Sequence, residues 1–158
     1  WSEDRCRKIK EGALLHDLGK LATPDAVLLK PGRLNEQEWR QMRNHPAEGA
    51  RLVSPTPLND LTPMTLQHHE RWDGRGYPDG LVGDAIPLSA QIVSLADVYD
   101  ALTSERCYKK AYSHDKAVEM ILNGECGVFN PKLVECFVEI QNVLREELCN
   151  VKYRDEQK

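Results

Sequence analysis

A segment rich in glycine and proline, between Glu70 and Pro87, limits what the rest of the chain can form. Its glycines at 74, 76, 80 and 83 and its proline at 78 prevent a helix or a strand from passing through it, so we predict a loop. On either side, apolar residues recur at helical spacing, and no segment shows the strict apolar–polar alternation of a half-buried strand. The chain is therefore predicted to be all-α, a bundle of about six or seven helices with one long loop.

Residues typical of helix starts place several of these helices. Ser2 is a good helix cap, and the helix that it starts is predicted to run to Lys20. Asn35, with Glu38 three residues later, is predicted to form a capping box. Thr62 is predicted to cap another helix, because a proline follows at the first helical position. Further helices are predicted over 46–55 and 88–104 and from Ser113 and Asn130.

The bulk composition limits the classes of function. A chain of 158 residues suffices for one domain with its own core, and no apolar run approaches the ~18 residues of a membrane span. The net charge of -4 argues against a DNA-binding surface, so we expect no DNA partner and no membrane segment. The five scattered cysteines indicate reduced thiols and a cytoplasmic protein. The start on Trp1, within a predicted helix, indicates a piece of a longer protein.

Histidines and carboxylates that suit a metal ion are distributed along the chain. The candidate ligands are His16, Asp17, His45, His68, His69 and Asp97. Imidazole and carboxylate donors suit Fe, Mn or Zn, and the lack of cysteine argues against a thiolate zinc site. Asp97 stands among apolar residues of a predicted helix, so it needs a cation or an arginine as its partner. Each short pair taken singly is equally compatible with a solvated or capped pair; only the combination favours a metal site.

Six segments occur in a characteristic order along the chain. They are ALLHDLGK, PDAVLLKPGRLNEQEW, NHPAEGARLV, HHERWDGRGYPDGL, IPLSAQIVSLADVYDALTSERCYKKAYS and FNPKLVECF. Together they resemble the HD-GYP family, the extended subgroup of the HD metal-dependent phosphohydrolases, over about residues 3 to 140. The resemblance implies an HD-domain helical bundle over residues 1–150, truncated at its N-terminus, and a polar C-terminal tail over 151–158. Its namesake loop residues are Gly76, Tyr77 and Pro78.

The resemblance also implies a role for each candidate residue. His16 and Asp17 match the HD pair, in which Asp17 bridges two divalent metal ions, Fe or Mn in preference to others. The remaining metal ligands would be His45, His68, His69 and Asp97. Lys20 would reach the substrate phosphate, and Arg106 with Lys109 would bind the phosphates of cyclic di-GMP. From the residues alone, Arg106 and Lys109 are better explained as a solvated surface charge run with Lys110.

Family members hydrolyse cyclic di-GMP to linear pGpG or to GMP through a metal-bridged hydroxide, in bacterial second-messenger signalling. We expect this activity here. One alternative is an HD phosphohydrolase that acts on another cyclic dinucleotide or a nucleotide, and a second is a non-catalytic cyclic di-GMP receptor or docking module. The resemblance further implies an N-terminal receiver or sensor domain and contact with a diguanylate cyclase (GGDEF) domain.

One element of the family pattern is missing from this sequence. The family contributes a further histidine ligand from a helix upstream of the HD pair, so the metal held by His16, Asp17 and Asp97 is expected to have an incomplete ligand set here. His114 is expected to be a surface residue and not a substitute for that ligand. The glycine-rich loop is expected to shape the rim of the pocket or a docking surface, with Tyr77 available to substrate or partner.

Overall fold

The computed structural model describes the backbone of residues 2–105 and 110–155 and the side chains as far as residue 150. Its α-helices are α1 (Glu3–Ala13), α2 (Asp25–Leu28), α3 (Glu36–Met42), α4 (His45–Val53), α5 (Thr62–Gln67), α6 (Leu88–Thr103), α7 (His114–Leu122) and α8 (Pro131–Asp155). Short 3₁₀ helices cover Leu18–Ala22, Asn59–Leu61 and Gly83–Ala85. In these described ranges the only strand-like pairing is an isolated bridge between Asp73 and Val82. With seven α-helices of six or more residues, the all-α prediction is confirmed.

Of the predicted starts at Ser2, Asn35 and Thr62, the first two are confirmed and the third is wrong. The Ser2 hydroxyl accepts a hydrogen bond from the Arg5 amide at 3.4 Å, and Asn35 forms the capping box with Glu38. Thr62, in contrast, is already the first residue of α5, and its buried hydroxyl has no hydrogen-bond partner. The reason is that the 3₁₀ helix Asn59–Leu61 runs directly into α5, so the backbone is helical before Thr62 and offers no free cap position.

The prediction of one helix from Ser2 to Lys20 is also wrong. Helix α1 ends at Ala13, the chain turns over residues 14–17, and the 3₁₀ helix begins at Leu18. His16 and Asp17 therefore lie in a turn, which we call the HD turn (residues 14–17), and not at the end of a helix. Leaving the axis of α1 allows Gly19 to contact the backbone of α4, a tertiary contact that helical periodicity does not encode.

Two groups of buried side chains lie along the central helix α6. One surrounds Val93 and includes Val53, Leu61 and Met64, against which residues of α1 pack. The other surrounds Leu95 and Leu102 of α6 and joins it to α7 and α8; its further members are Ala117, Val118, Ile121, Phe129 and Phe137. Because α6 contributes to both groups, the position of its polar residue Asp97 is set by both halves of the core. In the described part of the chain, no helix combines the length and the apolar character needed to cross a bilayer.

His114 corrects another prediction, since it is buried and not a surface residue. Only 7% of it is exposed, and its Nδ1 lies 2.8 Å from the hydroxyl of Tyr99, with which it forms a hydrogen bond. The Tyr99 ring in turn packs edge-on against Phe137. A polar residue in the first turn of α7 is thus drawn into the core because α6 offers it a hydrogen-bond partner.

Candidate metal centre

Three separate segments bring four potential ligands to one place. The HD turn contributes Asp17, the first residue of α4 is His45, and the chain just beyond α5 contributes His68 and His69. One ligand atom from each of these four residues lies within 4.8 Å of every other. Because α5 ends at Gln67, the two adjacent histidines are freed from helical geometry, which would direct their side chains about 100° apart.

Glycine allows the 3₁₀ helix that follows the HD turn to approach α4 closely. A Cβ atom on Gly19 would lie 1.9 Å from the carbonyl oxygen of His45 and 2.4 Å from the amide nitrogen of Gly49. A Cβ atom on Gly49 would in turn lie 2.7 Å from the side chain of Thr65 on α5. The absence of side chains at both positions therefore sets the separation of the three segments that carry the candidate ligands.

Three of the histidine rings are oriented by backbone carbonyls. Each has its Nδ1 close to the carbonyl oxygen three residues earlier: His16 to Ala13 at 2.5 Å, His45 to Met42 at 2.7 Å and His68 to Thr65 at 2.8 Å. A carbonyl oxygen only accepts hydrogen bonds, so Nδ1 carries the proton and donates it. In the neutral ring this leaves an unshared electron pair on Nε2. Proteins commonly orient histidine ligands for a metal by such a hydrogen bond from the other ring nitrogen.

The lone pairs of these rings converge. The Nε2 atom of His45 lies 3.3 Å from that of His68, 3.2 Å from that of His69 and 3.1 Å from Oδ1 of Asp17. Burial lowers the pKa of His68 to about 4 and that of His69 to about 2, so both imidazoles are neutral at pH 7. Acceptor atoms crowded at this separation repel one another unless a cation lies among them, so the residues fit a divalent metal ion.

The two carboxylate oxygens of Asp17 face different neighbours. Oδ1 lies 3.1 Å from Nε2 of His45 and 3.8 Å from that of His68, whereas Oδ2 lies 3.4 Å from Nε2 of His16 and contacts Nζ of Lys20. Burial by itself would raise the pKa of Asp17, but its contacts, the Lys20 ammonium at Oδ2 among them, hold the pKa well below its ordinary value. Asp17 is therefore ionised, and Oδ1 is buried without a hydrogen-bond partner. An ionised carboxylate with two differently directed oxygens has the geometry of a bridging ligand.

Asp97 lies on the other side of this carboxylate. Its Oδ1 is 3.8 Å from Nε2 of His16, so among the residues that the structure describes its partner is an imidazole. Burial alone would raise the pKa of Asp97, but His16 lowers it. The buried Nε2 of His16 has no hydrogen-bond partner of good geometry, as expected for a ligand atom without its metal. Within the described residues, this second side of the site offers the three side chains of His16, Asp17 and Asp97.

Glu70 organises the glycine-rich loop and was not identified from the sequence. Its carboxylate is 3% exposed and accepts hydrogen bonds from the amides of Asp79 at 2.7 Å, Gly80 at 3.0 Å and Leu81 at 3.0 Å. One buried carboxylate thus accepts hydrogen bonds from three consecutive loop amides, directly beside the candidate ligand His69. The available signal was an acid that immediately precedes a segment too rich in glycine to satisfy its own backbone amides.

Tyr77 of the loop contacts the cluster of candidate ligands through His69. Its ring stacks on the His69 ring, with centroids 4.8 Å apart and planes 23° apart, and its amide donates to the His69 carbonyl at 3.2 Å. Gly76 permits this approach, because a Cβ there would lie 2.3 Å from the Arg71 amide nitrogen. The Tyr77–Pro78 peptide is cis. Burial raises the pKa of Tyr77 to about 12, so its hydroxyl is neutral.

The structure thus brings together most, but not all, of the side chains selected from the sequence. Asp17, His45, His68 and His69 form one cluster, His16 and Asp97 adjoin it, and Lys20 pairs with Asp17. The two basic residues expected at the substrate phosphates, Arg106 and Lys109, lie outside the described residues. Besides Glu70, two arginines near the site were not identified: Arg43, over the Tyr77 ring, and Arg71, which donates to Ser94 on α6 at 2.7 Å.

Comparison with known proteins is consistent with this geometry. The family model described as HD domain matches residues 1–133. The cyclic di-GMP phosphodiesterase response regulator RpfG of Xanthomonas campestris is 46% identical over 94% of this chain and 40% of its own length. A cyclic di-GMP phosphodiesterase of Vibrio cholerae is 47% identical over 83% of this chain and 28% of its own length.

A third relative carries a different substrate in its name. The 3'3'-cGAMP-specific phosphodiesterase 2 of Vibrio cholerae is 39% identical over 87% of this chain and 27% of its own length. The chain therefore spans between about a quarter and two fifths of the length of these curated relatives.

Proposed function

The chain belongs to the HD domain family, in its HD-GYP subgroup, and from this premise we propose that it is a metal-dependent phosphodiesterase that hydrolyses cyclic di-GMP. The observation that supports the proposal best is the cluster of Asp17, His45, His68 and His69, whose ligand atoms lie within 4.8 Å of one another. Imidazoles around an ionised, half-buried carboxylate are suited to divalent metal ions and serve no evident purpose in the core.

The proposed ligand sets divide at Asp17. Oδ1 of Asp17, with His45, His68 and His69, would hold one ion, and Oδ2, with His16 and Asp97, would hold a second; Fe and Mn suit this mixture of nitrogen and oxygen donors. When bound, such ions supply an acidic water and positive charge beside the phosphate oxygens. The second set has three protein ligands among the described residues, so we expect its ion to be held less tightly.

Lys20 is proposed to bind the reacting phosphate. It follows Asp17 by three residues in the 3₁₀ helix, and its ammonium already lies at Oδ2. A fixed cation there stabilises the negative charge that develops on phosphate oxygens. Hydrolysis forms a bond from water oxygen to phosphorus and breaks the bond from phosphorus to a ribose oxygen, which leaves with a proton; the first product is linear pGpG. Arg106 and Lys109 are proposed, from the resemblance alone, to bind substrate phosphate.

Incubation of the purified protein with cyclic di-GMP and Mn²⁺ or Fe²⁺ tests the activity, with product identified by chromatography. Wild-type protein should release pGpG or GMP, and Asp17→Asn should reduce turnover at least a hundredfold, since it removes the charge shared by both ligand sets. Asp25→Asn, at an exposed carboxylate of α2, is the matched control and should retain wild-type turnover. Absence of product with every metal would overturn the proposal.

A second candidate substrate is another cyclic dinucleotide. The observation that favours it is the 39% identity to a relative named as specific for 3'3'-cGAMP. A substrate panel that includes this dinucleotide separates the two activities. A protein that binds cyclic di-GMP but hydrolyses nothing on the panel would instead be the receptor or docking module that the sequence left open.

Domain partners are proposed separately, because the chain spans less than half of the relatives' lengths. We propose that a receiver or sensor domain precedes this domain in the full protein, and that the glycine-rich loop contacts substrate or a diguanylate cyclase domain. The domain itself is proposed to span residues 1–150, with the polar tail at 151–158; α8 continues as far as Asp155. A cytoplasmic location stays a prediction.

A further inference from the structure

A column of stacked groups leads outward from the candidate metal ligands. The ring of Tyr77 stacks on that of His69 at 4.8 Å, and Cζ of Arg43 lies over the Tyr77 ring, 5.3 Å from its centroid. The same Cζ atom lies 5.8 Å from the centroid of the Trp39 ring, one turn earlier in α3. The backbone of Arg43 is held as well, because this residue is the C-cap of α3 and its amide donates to the Trp39 carbonyl at 2.9 Å.

The guanidinium of Arg43 is positioned without use of its hydrogen-bond donors. Cation–π contacts act between the positive charge and the ring faces, and they occupy none of the five N–H groups. Among the described residues, no carboxylate or carbonyl accepts a hydrogen bond from this side chain, although neighbouring arginines such as Arg51 have an acidic partner. Arg43 is thus an exposed cation with a fixed position and free donors, two residues before the ligand His45.

Trp39 adds an aromatic surface at the same position. About half of this side chain is exposed (49%), in a helix whose capping box fixes its first turn. An exposed indole beside an arginine that retains its donors is the combination by which proteins bind an unpaired nucleobase. The ring stacks on the base, while the guanidinium donates to its edge.

We propose that Arg43 and Trp39 form the base-binding subsite for the substrate and that Arg43 makes this subsite selective for guanine. The proposal rests on the proposed function, since it assumes that the substrate is a cyclic dinucleotide. Guanine presents two acceptors, O6 and N7, that match two N–H groups of one guanidinium. Adenine presents a donor, its N6 amino group, where guanine has O6, so it cannot accept both hydrogen bonds.

The position of Arg43 indicates that its substrate contact is a base and not a phosphate. The proposed phosphate-binding group Lys20 lies directly at Asp17, whereas Arg43 is separated from the metal ligands by the whole Tyr77 ring. In a cyclic dinucleotide the phosphates form part of the central ring and the bases project away from it. A cation set back by one aromatic layer is therefore placed for the base when the phosphate is at the metal ligands.

Equilibrium binding of three cyclic dinucleotides tests the inference. They contain two guanines, one guanine and one adenine, or two adenines, and their dissociation constants are measured by calorimetry with EDTA present, so that no turnover occurs. Wild-type protein should bind the two-guanine compound most tightly. Arg43→Ala should weaken its binding about tenfold or more and leave the two-adenine compound within about twofold.

Three further variants separate the contributions of charge, hydrogen bonding and stacking. Arg43→Lys keeps the charge but not the paired donors, so it should resemble Arg43→Ala. Trp39→Ala should weaken all three compounds similarly, because stacking tolerates any base. Arg40→Ala removes an exposed cation from the last turn of the same helix and should match wild type.

The outcomes discriminate between this inference and the proposed function. An equal loss of all three compounds in Arg43→Ala, or unchanged binding of the two-guanine compound, overturns the guanine subsite. Full rescue by Arg43→Lys overturns it too, because charge alone would then suffice. Hydrolysis is measured separately with Mn²⁺. A wild-type protein that binds the two-guanine compound selectively without hydrolysing it overturns the proposed function but supports the subsite. One that binds none of the three with EDTA and hydrolyses none of them with Mn²⁺ overturns both.

Discussion

At the scale of single residues, the site is defined by potential metal-ligating atoms that face one another. Three imidazoles, those of His16, His45 and His68, direct Nε2 inward because each donates Nδ1–H to a backbone carbonyl. The Nε2 atom of His45 lies 3.3 Å from that of His68 and 3.2 Å from that of His69. Such an arrangement is unfavourable by itself and becomes favourable with a cation. The repulsion between these atoms would be offset only by a bound cation. Individual side chains should therefore have measurable effects on metal affinity.

The first prediction separates a proposed ligand from its neighbour in the loop. His69→Ala should weaken metal binding at least tenfold, because it removes one of four donors. Tyr77→Phe should retain wild-type metal content, since it keeps the ring that stacks on His69 and removes only a hydroxyl. Mass-spectrometric metal counting after dialysis compares the two variants. An equal loss of metal in both would contradict this division of roles.

The second prediction concerns the buried carboxylate of Glu70. Glu70→Ala leaves three loop amides without their acceptor, and we expect the free energy of unfolding to fall by about 2–4 kcal/mol. Asp79→Ala is the matched control in the same loop; it removes an exposed side chain but keeps the backbone amide, so it should change stability by less than about 0.5 kcal/mol. Urea unfolding measures both, and equal stabilities would show that water replaces the carboxylate at little cost.

At the scale of elements, the HD turn shows how packing determines where a helix ends. The periodicity of α1 would allow the helix to continue, but the chain leaves it after Ala13 and brings Gly19 against α4. The same contact sets the distance between Asp17 and His45, which belong to these two segments. Backbone packing and ligand geometry are therefore coupled through one glycine.

The third prediction tests that coupling. In Gly19→Ala the added methyl would lie 1.9 Å from a backbone oxygen, which no side-chain rotation relieves, so the backbone must move. We expect stability to fall by about 1–3 kcal/mol or more, together with a lower metal affinity. Gly32→Ala is the control, because a Cβ there meets nothing within 4 Å. Both proteins are compared by unfolding, which measures stability, and by titration with metal, which measures affinity. A Gly19→Ala protein that binds metal as wild type does would refute the coupling.

At the scale of the whole molecule, the candidate ligands come from segments that lie far apart along the chain. The two groups of buried apolar side chains along α6 pack some of these segments together, but not all of them. Asp17, His45 and His69 come from the HD turn, α4 and the segment after α5, while Asp97 comes from α6. A metal ion bound by the first three groups would cross-link these segments in the folded state only. Binding to the folded state alone stabilises it by mass action.

The fourth prediction follows from this linkage. At about 100 times the dissociation constant, Mn²⁺ should stabilise the protein by about 2.7 kcal/mol, which corresponds to a rise in Tm of about 5–10 °C over the EDTA-treated protein. His69→Ala should show a clearly smaller rise at the same Mn²⁺ concentration, because it binds the ion less tightly. Differential scanning calorimetry measures both. Identical Tm values with Mn²⁺ and EDTA would mean that the cluster does not hold metal in the folded protein.

The sequence by itself determined the helical class, most helix starts, the position of the long loop and the family. These features depend on interactions within a few residues, such as the capping box of Asn35 and Glu38, or on motifs whose order along the chain is visible without a structure. The identities of the candidate ligands were also available in this way. Their roles in metal binding stay predictions until metal is counted.

The tertiary structure alone decided how those residues are arranged. It placed His16 and Asp17 in a turn, buried His114 against Tyr99, and gave Glu70 and Arg43 positions that were not predicted. Each of these outcomes depends on a partner distant along the chain or on the path of a glycine-rich loop. Local propensity cannot specify such contacts, because they form only when separate elements pack and exclude water between them.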